Sequence, residues 1–555
     1  MRRVWLHSIP ALLLTLLVIA PFAIAVVRLL SASEVGLIEA FARLDTRYQT
    51  KDALAFSLQL AAVSTIVTVL AGLPLAWWLG RYSWPQHRLI RALLTTPFVV
   101  PSMVATIGFI SLLGPQSWLA QTAGIDVWYS LTAIVIAHTW YNVALVVRLV
   151  EPAIARLDPS LEEAARLLPS GDTAYKRAVR LWWPVIRPNL AAAATLTFVF
   201  SFTSFALVRH LGGPGLYTIE RAIAERPFAG ISGVDAGAVD SEIVLALGLL
   251  QLLVLVFALW LLTEFQRRGR MWLPLATEKL TRKRLPRSVH RPLIMGFALA
   301  GAMAPLWFII AGSFSVQGEA SLEAWRIAIS GERSEWSLIP ALTNTVRFAV
   351  LTMLIAVPLA WLSAWSVSTL ETQGRWPRLY ARLLDVLVML PLALSAVMVG
   401  YGVLFGLSHL STTLMMVWWL PLLAHLVIAL PFAMRVLLPA MRSLDKSYLE
   451  VARTLGASPM KTLFRVHVPL LRGPLIVAGI LAFAISLGEF GATWLLWNTP
   501  DWTTLPVLVD RAFWRPYQPL ARPVGHVAAT MLLLVTVALF IIAERFRVAG
   551  QEGEF

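Results

Sequence analysis

The sequence predicts an all-α polytopic membrane protein with about twelve transmembrane helices in two parallel six-helix repeats. Three observations carry this. Of the 555 residues, 58% are hydrophobic and only 14% charged, against about 25% charged in a typical soluble chain, so polar side chains are too few to coat several water-exposed cores. Apolar stretches of the roughly 20 residues needed to cross a bilayer recur along the whole chain. The second half also repeats the motifs of the first.

In chain order the spans fall at 9–30, 53–79, 89–113, 131–150, 190–211 and 243–265, then at 293–314, 342–365, 384–407, 414–437, 474–497 and 524–542. The first comes after Arg2 and Arg3 and contains Ala23-Ile24-Ala25, which is like a signal-peptide cleavage site. Its apolar run exceeds the usual signal core, so a retained helix is expected. Arg81, Arg88 and Arg91 lie between spans two and three, and nine Lys or Arg opposed only by Glu278 lie in 266–291. Excess basic residues mark cytoplasmic loops, which places both termini in the cytoplasm of a multi-pass inner-membrane protein. The net charge of +15, from 46 basic and 31 acidic residues, thus reads as topogenic, with membrane lipid and not nucleic acid as its partner. The expected division is a first half at 1–265, a basic cytoplasmic linker at 266–291 and a second half at 292–555.

The duplication is detailed. At one constant offset Ala137-His138 matches Ala424-His425, Arg148 matches Arg435, Pro152 matches Pro439, Glu163 matches Glu450, and Ala165-Arg166 matches Ala452-Arg453. After a shift of two positions, Pro184 matches Pro469, Ser201 matches Ser486 and Phe205 matches Phe490. Pro74-Leu75-Ala76-Trp77 also pairs with Pro358-Leu359-Ala360-Trp361. Each half holds an even number of spans, so the repeats are parallel.

The sharpest match is in the cytoplasmic loops after spans four and ten. In the second, Glu450-Val451-Ala452 leads into a helix that Gly456 should end, where a left-handed backbone is cheap. Ser458 then caps the next helix with Pro459 at its first position. Glu-x-Ala-(x)3-Gly, with Pro thirteen residues after the Gly, resembles the EAA loop of binding-protein-dependent ABC importer permeases. The matching residues are Glu450, Ala452, Gly456 and Pro469 in the second copy. In the first they are Glu163, Ala164, Ala165, Gly171 and Pro184. The first copy departs by Pro169-Ser170 inserted before Gly171; Pro169 should stop its first helix by Leu168, and Asp172 is expected to cap the next. The resemblance implies a type I-like importer fold in which each loop docks on an ATPase. It further implies two copies of an ABC ATPase subunit and a periplasmic or extracytoplasmic solute-binding protein as partners.

The chain itself has no Gly-(x)4-Gly-Lys-Ser/Thr phosphate cradle, no metal-ligand spacing and no Gly-x-Ser-x-Gly elbow. No catalytic, cofactor or metal site is expected on it, and ATP belongs on the partner subunits. Ionisable groups inside spans are functional candidates by default. Glu489, in Gly488-Glu489-Phe490-Gly491, could face a substrate path, satisfy a helix end or pair with a cation; Ser204 is its first-half counterpart. His138, His425 and Asn142 are further path candidates. Arg209-His210, before Leu211-Gly212-Gly213-Pro214, is expected at the periplasmic end of span five.

These last motifs, with Thr504-Leu505-Pro506, are most similar to those of the fused permeases for thiamine and, less closely, iron(III). The implied cargo is thiamine or a thiamine-like cation, with iron(III), a polyamine or an anion as alternatives. A secondary transporter also uses twelve spans and parallel repeats, but it needs a relay of buried ionisable groups, and Glu489 stands nearly alone.

Overall fold

The computed structural model describes residues 4–32, 50–115, 117–124, 127–155, 157, 159–168, 172–213, 215–229, 238–271, 282–285, 290–332, 337–408, 417–444, 446–496, 502–515 and 518–546. Among them are nine helices long and apolar enough to cross a membrane, or twelve if each of three sharply bent helix pairs counts as one span. All twelve expected spans have a counterpart in that set.

In the first half, α1 (Val4–Leu14) runs through a wider turn into α2 (Ala20–Ala32). Then come α3 (Thr50–Arg81) and the bent pair α4 (His87–Thr95) and α5 (Ser102–Leu113). α6 (Leu131–Ala155) leads to the loop helices α7 (Pro159–Arg166) and α8 (Ala174–Arg177). α9 (Trp183–Phe202), α10 (Ala206–Leu211), α11 (Ile219–Ala229) and α12 (Ala238–Met271) complete it. The second half has the same plan. It consists of α13 (His290–Ser313), α14 (Leu338–Leu370), the bent pair α15 (Arg375–Met389) and α16 (Ala396–Ser408), and α17 (Leu420–Arg442). After it come α18 (Lys446–Thr454), α19 (Pro459–Thr462), α20 (Arg472–Leu487), α21 (Gly491–Leu496), α22 (Leu505–Phe513) and α23 (Ala521–Phe546).

The expected spans 190–211 and 474–497 are not continuous. Each breaks, at Thr203–Phe205 and at Gly488–Phe490, into a long and a short helix. In the second half the cause is chemical: Gly488 ends α20, and the Glu489 side chain caps α21.

Close packing of α3 on α6 comes from a small residue at regular intervals along α3. Ser64 meets His138. A Cβ on Gly72 would lie 2.7 Å from Val146 Cβ, and one on Gly80 would lie 2.8 Å from Ile154 Cβ. The three pairs keep one constant sequence separation, so the helices run parallel. Small side chains let helix backbones approach where lipid offers no hydrophobic drive for association. In the second half Ala356, Ala360 and Ala364 on α14, with Ala429 and Ala433 on α17, are all fully buried.

A pair of hydroxyls fixes the register between the repeats. Ser57 Oγ donates to Ala53 O (2.7 Å) and accepts from Ile219 N (2.9 Å) at the start of α11. Thr345 Oγ1 donates to Ala341 O (2.7 Å) and accepts from Leu505 N (2.8 Å) at the start of α22. With Ser57 on Thr345, Ser64 falls on Thr352, and Pro74 falls one helical turn beyond Pro358. The Pro-Leu-Ala-Trp match is therefore out of structural register, because identical residues in two apolar helices outweighed the spacing of the hydroxyls.

The compact units are not the two halves in chain order. One comprises Met1–Leu37, Ala229–Leu245 and Ser313–Phe555; the other comprises Ile38–Phe228 and Ala246–Gly312. Each half thus contributes its first span to the unit built mainly from the other. Tyr380 OH donates to His7 O (2.7 Å), and Gly402 and Gly406 make room for Phe22 and Pro21. Likewise Met295 of α13 joins Leu75, Leu79, Leu94 and Val147 in one apolar cluster, and Trp140 Nε1 donates to Ala302 O (3.0 Å).

The described stretch of the basic linker is docked. Its Lys283–Arg284 pair in parallel with Tyr82–Ser83. Arg282 reaches the buried Glu151 carboxylate (2.7 Å), which Arg91 (3.6 Å) and His87 (3.8 Å) also approach.

Candidate functional site: two helical loops and two polar junctions

The second loop is built as its residues dictate. Gly456 sits at φ +73°, and Ala457 N donates to Ala452 O (2.9 Å), which closes α18 with a left-handed cap. No atom lies within 4 Å of a Cβ placed on Gly456, so the glycine is needed for conformation and not for space. Ser458 Oγ accepts from Lys461 N (3.3 Å) at the start of α19. Ala452 is buried, whereas Glu450 and Pro469 are exposed.

In the first loop α7 ends in tight turns, with Leu167 N to Ala164 O (3.1 Å) and Leu168 N to Ala165 O (3.3 Å). Gly171 lies outside the described residues. The cap of α8 is Thr173 and not Asp172. Thr173 has the extended backbone of an N-cap, and its hydroxyl accepts from Lys176 N (3.2 Å). Asp172 stands one residue earlier and braces the turn, accepting from Thr173 N (2.6 Å) and pairing with Lys176 (2.8 Å). That Lys176 contact holds the Asp172 carboxyl below its usual range. Pro184 is half-buried at the start of α9.

Two acids adjoin in this loop, and they differ in role. Glu163 is exposed. Glu162 is buried and bridges Arg81, at the end of α3, to Arg166 (3.1 Å). Sequence reasoning missed this clamp because Glu163 alone matched the loop motif. It also missed the exposed apolar residues Leu167 (87%), Tyr175 (77%), Leu455 (81%) and Phe464 (61%). Two of these four stand on each helical loop.

Within the membrane-spanning part, the predicted polar residues fall into two corresponding junctions. In the second half His425 Nδ1 contacts Ser486 Oγ (2.6 Å), which donates to Thr352 Oγ1 (3.2 Å). His425 Nε2 contacts Thr493 Oγ1 (2.8 Å) and lies 3.3 Å from Glu489 Oε2. Glu489 accepts from Ala492 N (2.7 Å) and Thr493 N (2.9 Å), and the Thr493 hydroxyl also donates to it. The carboxylate therefore meets the free amides and positive dipole end of α21. In the first half His138 Nδ1 contacts Ser64 Oγ (3.0 Å), and Asn142 Nδ2 reaches Ser201 Oγ (3.5 Å). Ser204 and Val208 stand where Glu489 and Thr493 stand, so among the described residues no carboxylate reaches His138. Both histidines, Asn142 and Glu489 are at most 6% exposed.

Beyond the two junctions, each short helix is tied to the next helix in the chain. Arg209 of α10 pairs with Glu225 of α11 (2.8 Å), which Arg221 (3.0 Å) and Tyr217 OH (2.9 Å) also contact. The second half uses Trp494 Nε1 to Asp510 Oδ2 (3.1 Å) in a comparable place.

Residues 72–271 and 356–549 each match the family described as the binding-protein-dependent transport system inner membrane component. The thiamine transport system permease protein ThiP of Escherichia coli (strain K12) is 27% identical over 505 residues, covering 88% of each chain. The protein of the same name from Brucella abortus (strain 2308) is 27% identical over 516 residues, covering 90% of this chain and 88% of its own. A probable ABC transporter permease protein, y4fN, of Sinorhizobium fredii is 24% identical over 564 residues, covering 96% of this chain and 94% of its own. Both family matches begin after the first span of their half, which is the span that each half contributes to the other compact unit. With two family domains spanning most of its length, and a duplicated set of loops and junctions to match, the chain belongs to the binding-protein-dependent transport system inner membrane component family as a fused, two-domain permease.

Proposed function

We propose that this chain is the translocation subunit of an ATP-driven importer whose cargo is thiamine or a thiamine-like cation. The observation that carries the reading is the two-copy family match, together with relatives that bear the thiamine permease name and align over 88–90% of this chain and 88% of their own. Family membership also sets aside the secondary-transporter alternative.

In this reading the α7–α8 and α18–α19 loops each receive one ATPase subunit, two per chain. Glu163, Ala164, Ala165, Gly171 and Pro184 serve the first contact, and Glu450, Ala452, Gly456 and Pro469 the second. ATP is hydrolysed on those partners. A binding protein delivers cargo to the opposite face, and both chain termini lie in the cytoplasm. Closure of the ATPases pushes on the loops, and packed helices shift between two arrangements to expose the path. His138, Asn142, Ser204, His425 and Glu489 remain the candidate polar groups of that path.

The test is uptake of labelled thiamine by cells that lack their own thiamine importer and express this chain with its ATPase and binding protein. Saturable, ATP-dependent uptake that competes with unlabelled thiamine is expected. Uptake of iron(III) or a polyamine in place of thiamine overturns the cargo, and uptake without any ATPase overturns the mechanism.

A further inference from the structure

α15 is the first arm of a bent pair, turned by 100° from α16. One of its faces is committed to the protein: Ala381, Leu384 and Val388 are at most 1% exposed. The remaining surface divides into two stripes. At 100° per residue along a helix, Arg375, Arg378 and Arg382 fall together on one stripe, and all three are exposed. Trp376 (76%), Leu379 (45%), Leu383 (60%) and Val386 (63%) fall on the stripe beside it.

Among the described residues no carboxylate pairs with these arginines; Arg378 Nε donates only to the Glu371 carbonyl (3.2 Å). Two acids lie beside them: Glu371 is engaged by Arg442, and Asp385, half-buried at the inner edge of the same stripe, sits near that Arg442–Glu371 pair. The first half disposes of its charge differently. Its α4 carries Arg88 and Arg91 at the matching positions, but Arg91 turns toward Glu151. Leu438 occupies the place of Glu151 in the second half, so the carboxylate that turns Arg91 inward has no counterpart there for the α15 arginines.

A helix with a basic stripe next to an aromatic and aliphatic stripe lies in the membrane interface, with the apolar side chains at the acyl boundary. Guanidinium groups grip phosphate bidentately. We propose that α15 is an interfacial helix that binds anionic phospholipid, with Arg375, Arg378 and Arg382 holding the headgroup phosphate and Trp376, Leu379, Leu383 and Val386 covering the acyl chains. Three interfacial charges favour anionic over zwitterionic lipid on the order of a hundredfold. The choice of the cytoplasmic leaflet rests on the proposed orientation of the chain; the lipid contact does not.

The experiment uses the full chain, with its ATPase bound, in nanodiscs of phosphatidylethanolamine with a minor fraction of phosphatidylglycerol. Native mass spectrometry then counts the lipid retained. The parent should keep phosphatidylglycerol well above its bulk fraction, R375Q/R378Q/R382Q should lose at least tenfold of that enrichment, and R375K/R378K/R382K should keep most of it. Equal retention in the glutamine variant overturns the proposal. So does loss of the ATPase with phosphatidylglycerol retained, since the stripe would then be a protein contact. If the glutamine variant does not insert, a photoactivatable phosphatidylglycerol on the unaltered protein decides. Label on peptides within 375–386 supports the site, and label confined elsewhere overturns it.

Discussion

His425 Nε2 lies 3.3 Å from Glu489 Oε2 at the break between α20 and α21, and the same carboxylate accepts the amides of Ala492 and Thr493. A buried acid satisfied on every side holds a helix end in place. Glu489→Ala is expected to cost about 2–4 kcal/mol, from the lost cap and from polar groups left without a partner. Glu489→Gln, which keeps one acceptor, should cost less. Thermal unfolding of the purified protein measures both. Uptake kinetics per folded molecule separate the roles. An unchanged KM for cargo leaves Glu489 a cap, whereas a raised KM for a cationic cargo puts it in the path.

Gly456→Val tests the second coupling loop. The left-handed conformation costs a bulky L-residue roughly 1–2 kcal/mol, and there is open space around the position, so the effect is purely on backbone shape. Transport should fall while membrane insertion is kept. Gly456→Asn, which tolerates a positive φ, should recover most of it. Equal loss in Asn and Val variants would mean that the residue acts through size at the ATPase contact.

Much of this architecture was legible in the sequence, because it rests on short-range rules. Apolar length marked the spans, and Gly456 and Ser458 marked the ends of the loop helices. The His138/His425 match singled out two polar positions, but not the hydroxyl partners that join them into junctions. Glu489 was ambiguous because an acid in an apolar run reads equally as a path group. The helix-cap signal was nevertheless present, in an acid just after Gly488 and three residues before Ala492. What could not be read is which helix packs on which. The exchange of α1–α2 and α13 depends on surfaces such as Gly402 with Phe22, whose complementarity emerges only when the helices are placed side by side.

The small-residue seam predicts a steric effect with a built-in rescue. Gly72→Ala would bring a methyl to 2.7 Å from Val146 Cβ, and overpacking of this kind costs about 1–3 kcal/mol. Val146→Gly in the same chain should return part of the stability, because it removes Cβ, Cγ1 and Cγ2, the three atoms that are struck, less the roughly 1 kcal/mol that a glycine costs inside a helix. Thermal melts of the single and double variants form the cycle. Additive losses would show that α3 and α6 do not meet here.

Glu151 and Arg282 (2.7 Å) give the last prediction, because their contact joins the inter-half linker to the end of α6. Glu151 is 1% exposed on its side chain, while Arg91 and Arg282 are 23% and 21% exposed, so solvent screens part of the attraction. Removing the acid should therefore cost only about 1–3 kcal/mol of linker docking, and Glu151→Leu copies the residue found at the matching second-half position. The chain has no cysteine, so S83C/R284C introduces one clean pair across the parallel strands. Strand neighbours about 5 Å apart are within disulfide reach. Oxidative cross-linking should be rapid in the parent background and markedly slower with Glu151→Leu. Equal rates would mean that strand pairing alone holds the linker, and that Glu151 serves only to neutralise the arginines at the end of α6.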